Sequence, residues 1–271
     1  MEGESTRDRM IRRIPAEAYG REFFLSHFLE GFREFELGGL SVVKARQLRL
    51  LDLSANISLL EVGFGRGELL LHCARRGVAV TGIDYAPDAL KIARATLQDF
   101  PDADLHLADC TRLPFADDSF DRTFSGDVIE HLCFEDAVMK LREMYRVTKP
   151  GGFVLVHTTP NTFFTRGVYP WCKYLLRMIN PGAVRHIDDH LKMMRQLHVD
   201  EYNLFSLRRI AAKAGLPHAR LWIDEDILRS AEHRHTAAFA GNRLVRFVGS
   251  LGNLYPVRLL LGNDLYLKCV K

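Results

Sequence analysis

Residues 59–70 read Leu59-Leu60-Glu61-Val62-Gly63-Phe64-Gly65-Arg66-Gly67-Glu68-Leu69-Leu70. A short apolar run over Ser58–Val62 ends in three glycines at alternate positions, and a helical pattern over Glu68–Arg76 follows. Glycine at a strand-to-helix junction lets the backbone turn sharply and approach a ligand closely. Such a loop taken alone is as readily a tight turn with no ligand.

Outward from the loop, short strands alternate with helices. Val78–Ile83 is β-branched and apolar and ends at Asp84, and Pro87–Gln98 is helical with proline near its first turn. Asp104–Ala108 is a third strand ending at Asp109, and Asp121–Ser125 a fourth. A helix over about 134–147, a turn at Lys149-Pro150-Gly151-Gly152 and a strand over Phe153–Thr158 complete the run. This pattern predicts an α/β fold, doubly wound, with a mostly parallel seven-stranded sheet. Ligands of open α/β sheets bind beyond the carboxyl ends of the strands, so the glycine loop, Asp84 and Asp109 would share one rim. Each aspartate alone is also a common helix cap.

Four segments follow. Residues 1–57 form an N-terminal helical cap, with Tyr19, Phe23, Phe24, Phe28, Phe32 and Phe35 spaced as one amphipathic helix over 16–37 and a second helix over 41–51. Residues 58–160 form a Rossmann-like core, and 161–200 a helical lid insertion. Residues 201–271 complete the core, with a helix near 206–214, strands near 217–223 and 264–270, and an inserted helical segment at about 225–262.

The 271 residues, 47% hydrophobic and 26% charged, fit a globular chain with a sizeable core. Lys+Arg 37 against Asp+Glu 34 hides an asymmetry, since residues 161–271 carry 17 basic and 9 acidic residues. The five cysteines contain no C-x-x-C pair, which argues against a zinc site or a disulfide framework. The acidic start Met1-Glu2-Gly3-Glu4 has no apolar run behind it, and a cytoplasmic location is expected.

The segments LLEVGFGRGELL, VTGIDYAPDALKIAR, LHLADCTRLPFADDSFD and LREMYRVTKPGGFVLV, in this order, resemble the class I S-adenosylmethionine-dependent methyltransferases. GDVIEHL followed by HTTPN is most similar to small-molecule methyltransferases of the ubiquinone-biosynthesis type. The resemblance implies S-adenosyl-L-methionine as cofactor. Gly63, Gly65 and Gly67 would wall its methionine part, and Glu61 would brace the loop and help hold the ammonium. Asp84 would bind the ribose with Tyr85 packing beside the adenine. Asp109 would accept from the adenine amino group near Cys110, and Ser125 would lie under the sulfonium end.

A hydroxyl or amine acceptor must lose a proton, which calls for a base. His131, in Asp127-Val128-Ile129-Glu130-His131, is the first candidate, with a helix-cap role equally open. His198, before Asp200-Glu201-Tyr202, is the second and is preferred to His186 and His190. Asp127, Glu130 and His131 match residues that hold a divalent metal in some relatives; no metal is expected here. In the lid, Phe163, Phe164, Tyr169, Trp171 and Tyr174 would line a pocket or simply pack. Arg166, Lys173, Arg177 and Arg185 would meet an anionic group.

The expected activity is methyl transfer to a small amphipathic or anionic metabolite, most readily on oxygen. Carbon or nitrogen methylation of a lipid-like or natural-product substrate, or an RNA or protein substrate, is the alternative. No nucleic-acid module is appended, and the Ser125-Gly126-Asp127-Val128 segment lacks the Asn/Asp-Pro-Pro-aromatic signature. The glycine spacing is not G-x-G-x-x-G, which disfavours a nicotinamide enzyme. The basic stretch Arg243–Arg246 leaves peripheral membrane contact open, and oligomeric state is not readable.

Overall fold

The computed structural model describes residues 14–27, 29–224 and 255–271. The N-terminal part holds a single 3-10 turn at Ala16–Ala18, then α1 (Arg21–Phe24), α2 (Phe32–Glu36) and α3 (Val42–Leu50). The core runs β1 (Ser58–Val62), α4 (Glu68–Ala74), β2 (Ala79–Asp84), α5 (Pro87–Thr96), β3 (Asp104–Leu107) and β4 (Phe120–Gly126). A 3-10 turn at Ile129–His131 leads into α6 (Phe134–Val147) and β5 (Thr148–Thr158). A π-helical stretch, Phe163–Val168, opens the lid, which continues as α7 (Tyr169–Ile179) and α8 (Pro181–Leu197). The chain ends with α9 (Leu204–Ala214), β6 (Arg220–Ile223), α10 (Val257–Leu261) and β7 (Leu265–Val270).

The seven strands lie in the order β3-β2-β1-β4-β5-β7-β6. β1 through β5 pair in parallel, and β7 runs antiparallel between β5 and β6. β1 and the Phe153–Val156 part of β5 are apolar on both faces because both faces are covered. Along β1, Leu59 enters one core layer and Leu60 the other; along β5, Val154 and Val156 oppose Phe153 and Leu155. Leu141 and Met144 of α6 fill the layer of Leu60 with Leu207 and Ile210 of α9, while Leu70 of α4 and Ile92 of α5 fill the layer of Leu59. Turn chemistry fixes the ends. Ser41 accepts from the Lys44 N–H to start α3, Asn203 and Ser206 form a capping box on α9, and Gly215 ends α9 at φ +79°.

Two expected elements differ. The N-terminal aromatic run is not one helix but a turn and two short helices. Gly31 takes φ +72° between them, and the carbonyls of Phe24 and Glu30 receive the Arg66 guanidinium at 3.2 and 2.7 Å instead of helical N–H groups. Phe28 lies outside the described residues. The Lys149–Gly152 segment is not a free turn but part of β5, carried past a register shift opposite Phe120–Arg122. Gly151 (φ +80°) donates its N–H to Lys271 O, and Lys271 donates to Gly152 O, which ties the bulge to the C-terminus. Of the insertion expected at 225–262, residues 225–254 lie outside the described residues.

Candidate active site

The glycine loop adopts the conformations its composition permits. Gly63, Gly65 and Gly67 stand at φ +84°, +53° and +76°, a region costly for any residue with a Cβ. A Cβ on Gly63 would also fall 2.2 Å from Val128 Cγ2, so the loop presses against the segment that follows β4. The Gly65 N–H donates to Asp84 Oδ2 and the Ala86 N–H to Oδ1, both at 3.0 Å, binding the tip of β2 to the loop of β1. Asp84 is buried, and desolvation raises its carboxyl to about 6.

Gly63, Gly65, Asp84, Tyr85, Asp109 and Cys110 all line one cavity of about 410 Å³, within the ordinary range for small-molecule sites. Asp109 caps no helix, since none follows β3 before β4; its Oδ1 accepts from the N–H and hydroxyl of Thr111, each at 2.8 Å, and so closes a local turn. Tyr85 is half exposed and donates to Ile14 O. Glu61 and Gly67 stand behind the wall rather than on it. The Ser125 placement corrects the expectation: the side chain is fully buried and its hydroxyl donates to Val62 O at 2.7 Å, so it pins β4 to β1 instead of facing a ligand.

Under the loop lies a cluster of charges that the sequence did not point to. Arg66, from the middle of the loop, and Lys44, from α3, meet Glu68 Oε1 at 2.6 and 2.9 Å. Burial opposes ionisation of Glu68, but the two cations hold it down at about 2. Glu61 beside them is pushed by desolvation to about 8, and its Oε2 is buried with no partner among the described residues. Glu30, also buried, is raised to about 7 by the same cause. Lys44, Glu30 and Ser41 are on the cavity wall. The unpartnered Glu61 oxygen is an acceptor and the wall lysine Lys44 a cation, the pair that the ammonium and carboxylate of an amino-acid zwitterion require, and Asp84 supplies acceptors suited to a ribose. The residues present therefore fit S-adenosylmethionine.

The facing wall brings both histidine candidates together. His131 and His198 line the cavity with ring centroids 5.1 Å apart. His131 Nδ1 is 3.0 Å from Leu197 O and 2.9 Å from Tyr19 Oη. A carbonyl only accepts, so Nδ1 carries the hydrogen and Nε2 is left as the basic nitrogen. Burial, then the neighbouring His198, depresses its pKa to about 4. Glu130, bound by the Thr158 hydroxyl at 2.8 Å, is raised by burial to about 7. Glu130, His131 and His198 bring metal-ligand atom types within 4.8 Å of one another.

Asp127 is not in that group. At φ +53° its carboxyl reaches instead toward His157, whose Nδ1 is 3.1 Å from Asp127 Oδ1 and whose Nε2 is 3.2 Å from Asp264 Oδ1. Burial opposes protonation of His157, yet the two carboxylates raise its pKa well above the usual value. All three residues line the cavity. Sequence reading missed His157 and Asp264; the one signal was a histidine at the end of the apolar run Phe153–Val156.

The lid corrects a further expectation. Its wall contributions are Met194 of α8 and His198 just after it, and none of Phe163, Phe164, Tyr169, Trp171, Tyr174, Arg166, Lys173, Arg177 or Arg185 lines the cavity. Tyr169 is buried and donates to Asp188 Oδ1, Arg166 pairs with Glu201, and Trp171 and Tyr174 are exposed. The aromatic wall comes from the N-terminal part, as Tyr19, Phe23 and Phe24. The side chains of His186 and His190 and the stretch Arg243–Arg246 lie outside the described residues.

Residues 60–156 match the family model of the methyltransferase domain. The chain is 32% identical over 132 residues to the ubiquinone/menaquinone biosynthesis C-methyltransferase UbiE of Geotalea daltonii, covering 46% of this chain and 54% of that protein. It is 30% identical over 181 residues to the demethylmenaquinone methyltransferase of Tropheryma whipplei strain Twist, covering 66% of this chain and 69% of that one. Matches to several other curated relatives span about a third to just over half of their lengths. Among solved structures, phosphoethanolamine N-methyltransferase 2 of Haemonchus contortus shares the fold, with a TM-score of 0.57 at 19% identity over 99% of this chain and 60% of that one. Sequence likeness, sheet order and strand-tip cradle agree, and the chain belongs to the class I S-adenosylmethionine-dependent methyltransferases of the ubiquinone-biosynthesis type.

Proposed function

We propose that this protein transfers a methyl group from S-adenosylmethionine to a hydroxyl oxygen of a small amphipathic metabolite by in-line displacement. The observation that carries the reading is a single cavity lined on one side by Gly63, Gly65, Asp84 and Asp109 and on the other by a neutral His131.

The cofactor, when bound, supplies an activated methyl on a sulfonium, so the protein's task is alignment and proton removal. Lys44 would meet the carboxylate of its amino-acid part, with Glu61 bracing the loop from behind, Asp84 would hold its ribose and Asp109 its adenine amino group. His131 Nε2 takes the acceptor proton as the new carbon–oxygen bond forms and the carbon–sulfur bond breaks. Leu197 O fixes the tautomer by accepting from Nδ1. His198 packs edge-on to this ring and lowers its affinity for a proton. Tyr19, Phe23 and Phe24 offer apolar surface to the acceptor and exclude water. The carboxylates Asp127, Asp264, Glu30 and Glu34 on the wall do not favour an anionic acceptor, and the lid's basic side chains stand elsewhere.

Carbon methylation is the second reading, favoured by the name of the Geotalea relative. In the test, purified protein is titrated with S-adenosylmethionine and S-adenosylhomocysteine in a thermal melt, then given methyl-labelled cofactor and a panel of phenols, quinols and aliphatic alcohols. Ligand at 100 times its Kd raises stability by about 2.7 kcal/mol, a visible Tm rise. No rise with either ligand refutes the cofactor reading. Label found on carbon refutes oxygen methylation alone.

A further inference from the structure

Among the described residues, the apolar stripe of helix α7 has no partner. Trp171, Tyr174, Leu175 and Met178 are 82%, 68%, 58% and 79% exposed. Their spacing of three and four puts them on one helix face. The opposite face is spent on packing, with α7 against α8 and Tyr169 buried. A Trp, a Tyr, a Leu and a Met turned together to water on an 11-residue helix are not the scattered apolar residues of an ordinary surface.

The setting is cationic. Residues 161–200 hold six basic and three acidic residues. Arg177 adjoins Tyr174 on the exposed side, Arg185 and Lys192 are exposed nearby in the chain, and Lys173 Nζ lies 5.9 Å from the Tyr174 ring centroid and 4.0 Å from Asp188 Oδ1. Size discriminates between occupants. An 11-residue helix is only about 16 Å long, so its stripe falls far short of the roughly 800 Å² per partner that a stable protein interface buries. A bilayer surface has no such threshold. It accepts a short amphipathic helix with tryptophan and tyrosine at headgroup depth and basic side chains on anionic lipid.

We infer that α7 docks this protein onto an anionic bilayer surface, through the Trp171–Tyr174–Leu175–Met178 face with Lys173 and Arg177 beside it. The inference does not depend on the methyltransferase reading. It does give that reading a consequence, because α8, against which α7 packs, supplies Met194 to the cavity wall and leads directly into His198, which also lines it. Docking therefore puts the lid side of the cavity against the membrane, where an amphipathic acceptor is concentrated.

The chain has two tryptophans, Trp171 and Trp222, and Trp222 is stacked on Tyr266 at 5.2 Å. A Trp222→Phe protein thus reports Trp171 alone. It is mixed with vesicles of phosphatidylcholine, or of phosphatidylcholine with 30% phosphatidylglycerol, and followed by sedimentation and emission. Expected are co-sedimentation with the anionic vesicles, a blue shift of Trp171 emission, and weakening by salt. Met178→Ser with Leu175→Ser should reduce partitioning at least tenfold at unchanged Tm. Absence of vesicle binding overturns the inference, as does binding that the double variant leaves intact. Emission already blue without vesicles also overturns it, and shows a cover from the chain itself, or from a second copy if the shift depends on protein concentration.

Discussion

The two walls of the cavity are built in opposite ways. On the loop side, the bonds that set the two strand-tip aspartates span short stretches of chain: Asp84 to Ala86, Asp109 to Thr111, and Gly65 to Asp84 across 19 residues. On the facing side, the bonds join distant segments: Tyr19 to His131 across 112 residues, His131 to Leu197 across 66, and His157 to Asp264 across 107. The loop side is therefore written in strand tips and glycines. The facing side exists only once the N-terminal turn, the lid and the last strand have closed on the core. Local geometry should make the first wall sensitive in binding and the second sensitive in stability.

The largest effect expected on the second wall is that of His157→Gln. It would leave Asp127 and Asp264 in the cavity wall without the cation between them, and breaking a buried charged set costs about 3–5 kcal/mol. For a domain of this size each kcal/mol shifts Tm by about 2–4 °C, so melting should fall by roughly 10 °C. The wild-type pKa of His157 lies above its unfolded value, so its stabilisation is complete below about pH 6.5 and is lost only as pH climbs through the raised value. Imidazole NMR should show His157 protonated at pH 7. A neutral ring there, or an unchanged Tm in the variant, breaks the contrast between the walls.

On the first wall Asp84→Ala should act on binding. It removes a carboxylate that holds two N–H groups and offers acceptors to a ribose, and hydrogen bonds to charged groups contribute about 1.5–3 kcal/mol each. Calorimetry should show S-adenosylhomocysteine bound on the order of 100-fold more weakly. The folded carboxyl titrates near 6, above its free value, so protonation on acidification removes the acceptor. Wild-type affinity should fall by up to about tenfold per pH unit below that point, and Asp84→Asn should flatten the dependence. Equal affinity for wild type and Asp84→Ala would remove the ribose assignment.

Gly63→Ala tests whether the loop depends on its own conformation or on its neighbour. Left-handed φ costs alanine about 1–2 kcal/mol, and the contact with Val128 adds an overpacking cost of about 1–3 kcal/mol. Adding Val128→Ala should recover the second part and not the first. Full recovery in the double variant would mean that packing alone selects glycine at this position.

What was legible follows the same division. The strand tips, the glycine loop, Asp84 and Asp109 were readable because strand period, glycine and terminal aspartates are local signals, and the sheet predicted from them is the sheet found. The helix expected over 16–37 was not, because the pattern that suggests it cannot show Arg66 taking two of its carbonyls. Ser125 was misread for a related reason: its position at the tip of β4 is visible, but its hydroxyl's bond to Val62 depends on strand pairing. The lid aromatics advertised a pocket because aromatic content carries no direction; the structure turns Trp171 outward and gives the pocket Tyr19 instead. The partnership of His157 with Asp264 had no sequence pattern, since their meeting is produced by β5 pairing with β7.

Tyr19→Phe carries the smallest expected effect and discriminates most finely. Its hydroxyl shares the His131 Nδ1 hydrogen with Leu197 O, so its loss leaves one acceptor in place and should cost about 0.5–1.5 kcal/mol. The depressed pKa of His131 means that the folded ring resists protonation. Its contribution is therefore intact at neutral pH and is lost as pH falls from about 6.5 toward 4, in wild type and variant alike. If Leu197 O sets the tautomer, nitrogen-15 shifts of Tyr19→Phe should still show hydrogen on Nδ1, and turnover should drop only a few-fold. A switch of the hydrogen to Nε2 would mean that the tyrosine, from the far end of the chain, had been holding the base in its reactive form. The facing wall would then depend on long-range closure for its chemistry as well as for its stability.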